Sequence, residues 1–405
     1  MHLTVEERAM LAGEHGPALQ KAMEIIVALG TIYGAAELVP VTSVQVAGVS
    51  YKNLGQAGLD FLREWAAQGA RVRVPTTLNP AGMDLRAWRE LGFPQDFARQ
   101  QLAVVEAYRA MGISPTCSCT PYLVGNVPGF GEHVAWAESS AVSFANSVLG
   151  ARTNREGGPS ALAAALTGRT AAYGLHLDEN RRARCLVDVR CPLRSGADFG
   201  ALGYLVGKMV RNAVPYFRLS TLPSPPPLTL PLKTLGAAMA ASGAVALYHV
   251  EGVTPEAQRG EMLAPDAERV IIEDLSPAYA ALNAPVEQID LVSIGCPHAS
   301  LAEIAQVADF VRGRRLRTQL WVTTARRTRE QAAAEGWVQI IEAAGGRVVA
   351  DTCTVVTPLQ ALGIRSLATN AAKTACYAPA HSGVQVRFGT LEQCLEAAII
   401  GRWSE

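Results

Sequence analysis

The spacing of apolar residues in the first part of the chain predicts helices alternating with strands. Residues 17–32 place Ala22, Ile25, Ile26 and Leu29 on one face of a helix. Residues 54–69 and 97–111 show the same spacing, whereas the apolar runs 44–49 and 71–77 predict strands. Because strand and helix alternate, this part of the chain is expected to form a mostly parallel sheet.

The second half of the chain repeats this rhythm after a proline-rich segment. Five prolines fall within residues 222–231, which argues against both a helix and a central strand there. Beyond it, strands are predicted at 245–249, 270–272, 291–294, 319–322, 348–350 and 384–388. We therefore predict an α/β protein with an N-terminal region 1–222, a linker 223–231 and a C-terminal region 232–405.

The composition argues against a nucleic-acid-binding protein, a membrane protein and a secreted protein. The 405 residues include 36 basic and 36 acidic side chains, and 49% of residues are hydrophobic. This neutral balance does not favour nucleic acid or a membrane surface as a partner. The N-terminus has no apolar signal core, and the weakly polar stretch 236–250 is too short to span a bilayer. We expect a cytoplasmic protein whose eight cysteines are reduced thiols or metal ligands.

Three cysteines occupy positions where α/β proteins place their chemistry. Cys296 and Cys353 each follow a predicted strand, and Cys119 lies between a helix and a proline turn. Thiolates favour iron–sulfur clusters or zinc, and three ligands would leave one metal position open. His298 is a competing fourth ligand, or else a solvent-facing loop residue. Taken singly, each cysteine could equally be a small packed residue.

Other polar residues could bind an anionic ligand. Gly48 and Ser50 follow a strand, so their backbone N–H groups could bind an anion or form an ordinary turn. Asn79 and Pro80 could form a plain turn, or they could place a polar group at a strand end facing a crevice. Lys373 could meet a carboxylate or phosphate, or it could be a solvated surface lysine. The chain contains neither a Gly-x-Ser-x-Gly elbow nor a dinucleotide fingerprint.

Longer stretches of the chain also carry recognisable motifs. These stretches are 48–53, 76–84, 117–122, 130–140, 144–159, 294–298 and 353–379. Together they resemble a known family, aconitase X in its catalytic large-subunit form, and the resemblance covers nearly the whole chain.

This resemblance implies an iron–sulfur dehydratase with the α/β lobes of the aconitase superfamily and without its small swivelling domain. In that family three cysteines hold the cluster, and the iron without a protein ligand binds the leaving hydroxyl. The resemblance places these ligands at Cys119, Cys296 and Cys353, with Cys117 as an alternative to the first, and a 4Fe-4S cluster is expected. It places the substrate contacts at Gly48, Val49, Ser50, Asn79, Pro80 and Lys373.

The resemblance also implies a partner. In the family a serine of the small domain acts as the base, and that domain is either fused or a separate subunit. This chain ends at Glu405, soon after the predicted helix 391–400. We therefore expect a heterodimer with a small subunit, and we assign no catalytic base to this chain.

Two hydroxy-acid substrates fit this resemblance. The two-subunit form suggests dehydration of (R)-5-phosphomevalonate to trans-anhydromevalonate 5-phosphate, in a modified mevalonate pathway of isoprenoid biosynthesis. The alternative is dehydration of cis-3-hydroxy-L-proline. A phosphate would need additional donors, which Arg152, Arg155 and the 157–158 turn could supply unless they form a structural loop. A non-catalytic iron–sulfur protein is the alternative of another class.

Overall fold

The computed structural model describes residues 1–220 and 229–404. These residues form an α/β protein with four sheets. The strands are β1 (Leu38–Pro40), β2 (Val44–Val46), β3 (Thr76–Leu78), β4 (Ala135–Trp136), β5 (Arg169–Ala171), β6 (Ala183–Val189), β7 (Pro215–Leu219), β8 (His249–Val250), β9 (Leu263–Ile272), β10 (Leu291–Ile294), β11 (Gln319–Thr324), β12 (Arg347–Ala350), β13 (Ser366–Thr369) and β14 (Gln385–Phe388).

Helices connect most of these strands and cover the sheets. They are α1 (Val5–Leu11), α2 (Pro17–Ile32), α3 (Tyr51–Ala67), α4 (Gln95–Ala110), α5 (Ser139–Phe144), α6 (Gly158–Thr167), α7 (Gly196–Val210), α8 (Thr229–Gly243), α9 (Pro255–Arg259), α10 (Ser276–Leu282), α11 (Leu301–Val311), α12 (Arg326–Ala334), α13 (Trp337–Ala343), α14 (Ala372–Ser382) and α15 (Leu391–Ile400). In the described residues, no helix combines the length and the apolar character needed to cross a membrane.

The largest sheet places Cys296 at a reversal of strand order. This sheet is fully parallel in the order β12-β11-β10-β13-β14. From β10 the chain passes to β11 and β12 on one side, and then returns to β13 and β14 on the other. A reversal of this kind opens a crevice at the carboxyl end of the central strand. Cys296 follows β10 directly, so it lies at this crevice.

The expectation of mostly parallel sheets is confirmed. The three-stranded sheet β3-β2-β4 and the four-stranded sheet β8-β7-β6-β9 are parallel, and β1 with β5 is an antiparallel pair. The predictions of α2 and β10 match the structure residue for residue. The strand predicted over 71–77 forms only over Thr76–Leu78, and β1, β4, β5, β7 and β13 were missed.

The proline-rich segment behaves differently from the prediction where it is described. Residues 221–228 lie outside the described residues, but α8 begins at Thr229 and contains Pro231. A proline in the first turn of a helix lacks an N–H that would have no partner there anyway, so the helix tolerates it. Strands β6 and β7 precede this segment and β8 and β9 follow it, so one sheet contains strands from both predicted regions.

Candidate active site

One cavity of about 270 Å³ brings together most of the residues singled out in the sequence. Cys119, Cys296 and Cys353 all line it, although more than 170 positions separate the first two. Asn79, Pro80 and Lys373 line the same cavity. The other lining residues are Ala47, Ala137, Glu138, Ser139, Arg155, Val355, Val356, Tyr377 and His381.

Backbone pairing holds the loops of this cavity together. Ala81 N–H donates to the Asp351 carbonyl at 2.8 Å, which ties the Asn79–Pro80 turn to the residues before Cys353. The guanidinium of Arg326 lies between the buried carboxylates of Asp84 and Asp351, 2.5 Å from Asp84 Oδ1. Because Asp84 also accepts a hydrogen bond from the N–H of Ala350, the cation joins both loops in one network.

Cys119 and Cys117 differ clearly in their surroundings. The Cys119 Sγ accepts a 3.2 Å hydrogen bond from the N–H of His298, which connects it to the loop that carries Cys296. Cys117 packs in the hydrophobic core of the N-terminal region and does not line the cavity. The structure therefore favours Cys119 over Cys117 as the thiol that belongs to this site.

The chemistry of the three thiols suits an iron–sulfur cluster. Within residues 1–220 and 229–404, no three His, Cys, Asp or Glu side chains are grouped closely enough for a single metal ion. The thiols that bind a cluster can lie farther apart, since each thiolate would bind a different iron atom. Burial raises the pKa of all three thiols, that of Cys353 to about 12, with repulsion from Cys296 adding to this effect. A bound cationic centre would offset that cost by stabilising the thiolates. The residues present thus fit a cluster.

His298 is not available as a fourth ligand. Its ring lies fully buried, with Nδ1 3.2 Å from Ser118 Oγ and Nε2 2.9 Å from the Thr352 carbonyl. Both ring nitrogens therefore already have partners, and the alternative of a solvent-facing loop residue is also wrong. Burial lowers the pKa of His298 to about 4, so the ring is neutral.

Lys373 is buried at the start of α14, so the interpretation as a solvated surface lysine is wrong. Its Nζ forms an ion pair with Glu138 Oε1 and lies 3.1 Å from Ser140 Oγ. Burial alone would lower the pKa of Lys373, but the Glu138 carboxylate and the neighbouring thiols raise it above its ordinary value. The lysine therefore carries its charge at the cavity wall. Cys376 lies on the same helix.

Asn79 lines the cavity and has a buried side-chain oxygen. Its Oδ1 is buried and has no hydrogen-bond partner within the described parts of the chain. Since an unpaired buried acceptor is costly, a ligand hydroxyl would satisfy it. Gly48, Val49 and Ser50 lie beside the cavity rather than on its wall: Ala47 lines it, and Ser50 Oγ donates at 2.9 Å to the carbonyl of the lining residue Val356.

Sequence reasoning gave no role to Glu138, which the structure places at the centre of the site. Glu138 precedes α5, and its side chain accepts hydrogen bonds from Ala141 N–H at 2.7 Å and from Ser140 Oγ at 2.6 Å. The available signal was the run Glu138-Ser-Ser140 before an apolar stretch, which is typical of a capped helix start. Capping explains the carboxylate locally, but its pairing with Lys373 could not be read from the sequence.

The cavity lies at the strand-order reversal of the largest sheet and is lined by three thiols and a buried cation, an arrangement that suits the active site of an α/β enzyme. Family models for the first, second and third domains of aconitase X match residues 1–179, 183–279 and 289–400. The chain belongs to the aconitase X family.

Individual relatives agree with this assignment. The chain is 53% identical to the phosphomevalonate dehydratase large subunit of Methanothermobacter thermautotrophicus, over 95% of each chain. It is 49% identical to that of Methanocaldococcus jannaschii, over 98% of this chain and 100% of the relative. The crystal structure of Thermococcus kodakaraensis aconitase X in its holo form superposes with a TM-score of 0.91 at 49% identity, covering 98% of this chain and 100% of the other. A cis-3-hydroxy-L-proline dehydratase from Pseudomonas aeruginosa is 42% identical, over 98% of this chain and 70% of its own length.

Proposed function

We propose that this chain is the large subunit of a dehydratase that converts (R)-5-phosphomevalonate to trans-anhydromevalonate 5-phosphate. The observation that carries the proposal is the meeting of Cys119, Cys296, Cys353, Asn79 and Lys373 at one cavity. The relatives named for this activity are the more similar ones and match over their full length or nearly so. The alternative, cis-3-hydroxy-L-proline dehydration, has a less similar relative of which this chain covers 70%.

The thiols of Cys119, Cys296 and Cys353 would hold an iron–sulfur cluster, for which we propose the 4Fe-4S form. When bound, the cluster supplies a Lewis acid that makes hydroxide a better leaving group. In the elimination, a C–H bond next to the carboxylate and the neighbouring C–O bond break, a C=C bond forms, and water leaves. Hydroxide is a poor leaving group in the absence of such assistance, and this requirement supports the proposal of a cluster in this cavity.

The residues of the chain bind and orient the substrate for this step. The Lys373 ammonium is buried and charged, so it can hold the substrate carboxylate as a point charge. Asn79 Oδ1 can accept a hydrogen bond from a substrate hydroxyl. The N–H groups of Val49 and Ser50, just before α3, can bind an anionic group from beside the cavity, whereas the Tyr51 N–H already donates to Gln101 Oε1.

The base that removes the proton is proposed to come from a small partner subunit. Glu138 is the carboxylate on the cavity wall, but its pairing with Lys373 and its hydrogen bonds lower its pKa although burial opposes this. A carboxylate held in its charged form in this way is a weak base. The relatives' designation as large subunits supports a second chain that completes the site.

The test is anaerobic turnover by the chain co-produced with its small subunit and loaded with iron and sulfide. We expect loss of water from (R)-5-phosphomevalonate, with a kcat/KM far above that for cis-3-hydroxy-L-proline. The chain without the small subunit should bind iron but turn over little substrate. Preferential dehydration of hydroxyproline, or full activity of the single chain, would contradict the proposal.

A further inference from the structure

Arg155 is a cationic side chain at the mouth of the cavity, which it lines beside the three thiols. Its side chain is exposed. Within residues 1–220 and 229–404, its guanidinium forms neither an ion pair nor a hydrogen bond. Lys373, by contrast, already forms an ion pair with Glu138 at the buried wall of the same cavity.

The backbone that carries Arg155 is held firmly on both sides. Thr153 N–H donates to Asn146 Oδ1 at 3.0 Å, and Asn154 Nδ2 donates to the Tyr173 carbonyl at 3.0 Å. On the other side, Glu156 N–H donates to the Trp136 carbonyl at 3.0 Å, and its carboxylate accepts hydrogen bonds from Ser160 and Thr170. The fold therefore fixes the position of this residue while leaving its guanidinium free. Because the backbone is already held, a ligand would have to order only the side chain of Arg155.

Arg152, only three residues away, is placed differently. Its guanidinium forms an ion pair with Asp178 and donates to the His176 carbonyl at 3.0 Å. It does not line the cavity. Arg152 therefore stabilises the fold, whereas the guanidinium of Arg155 is available to a ligand.

The depth of the two cations in the cavity suggests which end of a substrate each one meets. Lys373 is 7% exposed, whereas Arg155 is among the exposed residues. In (R)-5-phosphomevalonate the carboxylate next to the reacting carbons and the phosphate lie at opposite ends of the molecule. With the reacting carbons at the thiols, the carboxylate lies towards Lys373 and the phosphate points outwards. A guanidinium matches the geometry of phosphate oxygens and can bind two of them at once.

We propose that Arg155 binds the substrate phosphate and determines the preference for a phosphorylated hydroxy acid. This inference rests on the proposed function, because hydroxyproline has no phosphate for Arg155 to bind. Arg155 does not take part in bond breaking. Its removal should therefore weaken substrate binding without slowing the chemical step.

The experiment compares Arg155→Gln, Arg155→Lys and Arg152→Gln in the iron-loaded complex with the small subunit. For (R)-5-phosphomevalonate, Arg155→Gln should raise KM about 10- to 100-fold with kcat nearly unchanged. Arg155→Lys should retain part of the affinity. Arg152→Gln should leave KM unchanged, with a thermal unfolding curve showing that it is folded.

Two further ligands separate phosphate binding from other roles of Arg155. Inorganic phosphate should inhibit the wild-type complex competitively and should bind Arg155→Gln more weakly, whereas unphosphorylated mevalonate should bind both proteins equally. An unchanged KM, or an equal loss for mevalonate, would overturn the inference. If the wild type does not turn over phosphomevalonate, the proposed function has failed. Calorimetric binding of inorganic phosphate then decides the role of Arg155, and equal affinity in wild type and Arg155→Gln would exclude it.

Discussion

The backbone N–H of His298 donates a hydrogen bond of 3.2 Å to the Sγ of Cys119. The ring of the same residue bonds to Ser118 and to the Thr352 carbonyl. Ser118 adjoins Cys119, Thr352 adjoins Cys353, and His298 lies two residues after Cys296. One buried imidazole thus connects the three loops that carry the proposed ligands.

Replacing His298 by Leu should loosen these loops and make the cluster more labile. The substitution removes both ring hydrogen bonds and leaves the buried Thr352 carbonyl without its donor, which costs about 1–3 kcal/mol. We expect the variant to lose iron to a chelator faster than the wild type. Visible absorbance under anaerobic conditions measures this rate. His249→Leu is the matched control, because His249 is equally buried but bonds to the Arg181 carbonyl away from the thiols. Equal rates in both variants would show that His298 does not hold the cluster loops.

The Lys373–Glu138 pair should show strong coupling in a double-mutant cycle on the metal-free chain. Lys373→Met or Glu138→Gln alone leaves one buried charge without its partner, a change that typically costs about 3–5 kcal/mol. The double variant leaves neither charge, so its destabilisation should be well below the sum of the two single effects. Urea unfolding measures this coupling. Additive single effects would mean that the two charges do not interact in solution.

His176 should make stability depend on pH. Burial lowers the pKa of His176 to about 3, and repulsion from His133, Arg181 and Arg152 adds to this effect. The acidic group nearby is Asp178, which forms an ion pair with Arg152. The folded state therefore keeps the ring neutral, whereas the unfolded state binds a proton below about pH 6.5. The contribution of the neutral His176 ring to the free energy of unfolding is fully present above that pH. It is lost as the pH falls towards 3, by at most about 1.4 kcal/mol per pH unit.

The measurement is the difference in unfolding free energy between the wild type and His176→Gln from pH 7.5 to 5. The wild type should lose its advantage progressively below pH 6.5, because glutamine does not titrate. A difference that stays constant over this range would contradict a neutral, buried His176.

Much of the fold was predictable because its signals are local. The period of α2 and the apolar run of β10 depend on neighbouring residues, and their bounds were predicted correctly. Strand β13 was missed because the buried residues Ser366 and Thr369 resemble a polar loop in sequence, although β10 and β14 flank them in the sheet. The start of α8 was missed because a proline excludes a helix interior but not a first turn.

The candidate site was predictable in its residue types but not in its pairings. Cys296 and Cys353 could be singled out because each follows a predicted strand, and parallel sheets bind their ligands at the carboxyl ends of the strands. The choice between Cys117 and Cys119 needed the structure, because the two thiols differ in the side to which the loop turns them. The burial of Lys373 depends on Glu138, which lies 235 residues earlier in the chain. No local pattern reports a contact of that kind.

The iron content of the cysteine variants tests the proposed cluster site most directly. Cys119→Ser, Cys296→Ser and Cys353→Ser should each lose the visible absorbance of the cluster and most of the bound iron after anaerobic reconstitution. Cys117→Ala should keep both, and circular dichroism should show that all four are folded. If the three serine variants retain wild-type iron, or if Cys117→Ala loses it instead, the cavity lined by Cys119, Cys296 and Cys353 is not the cluster site.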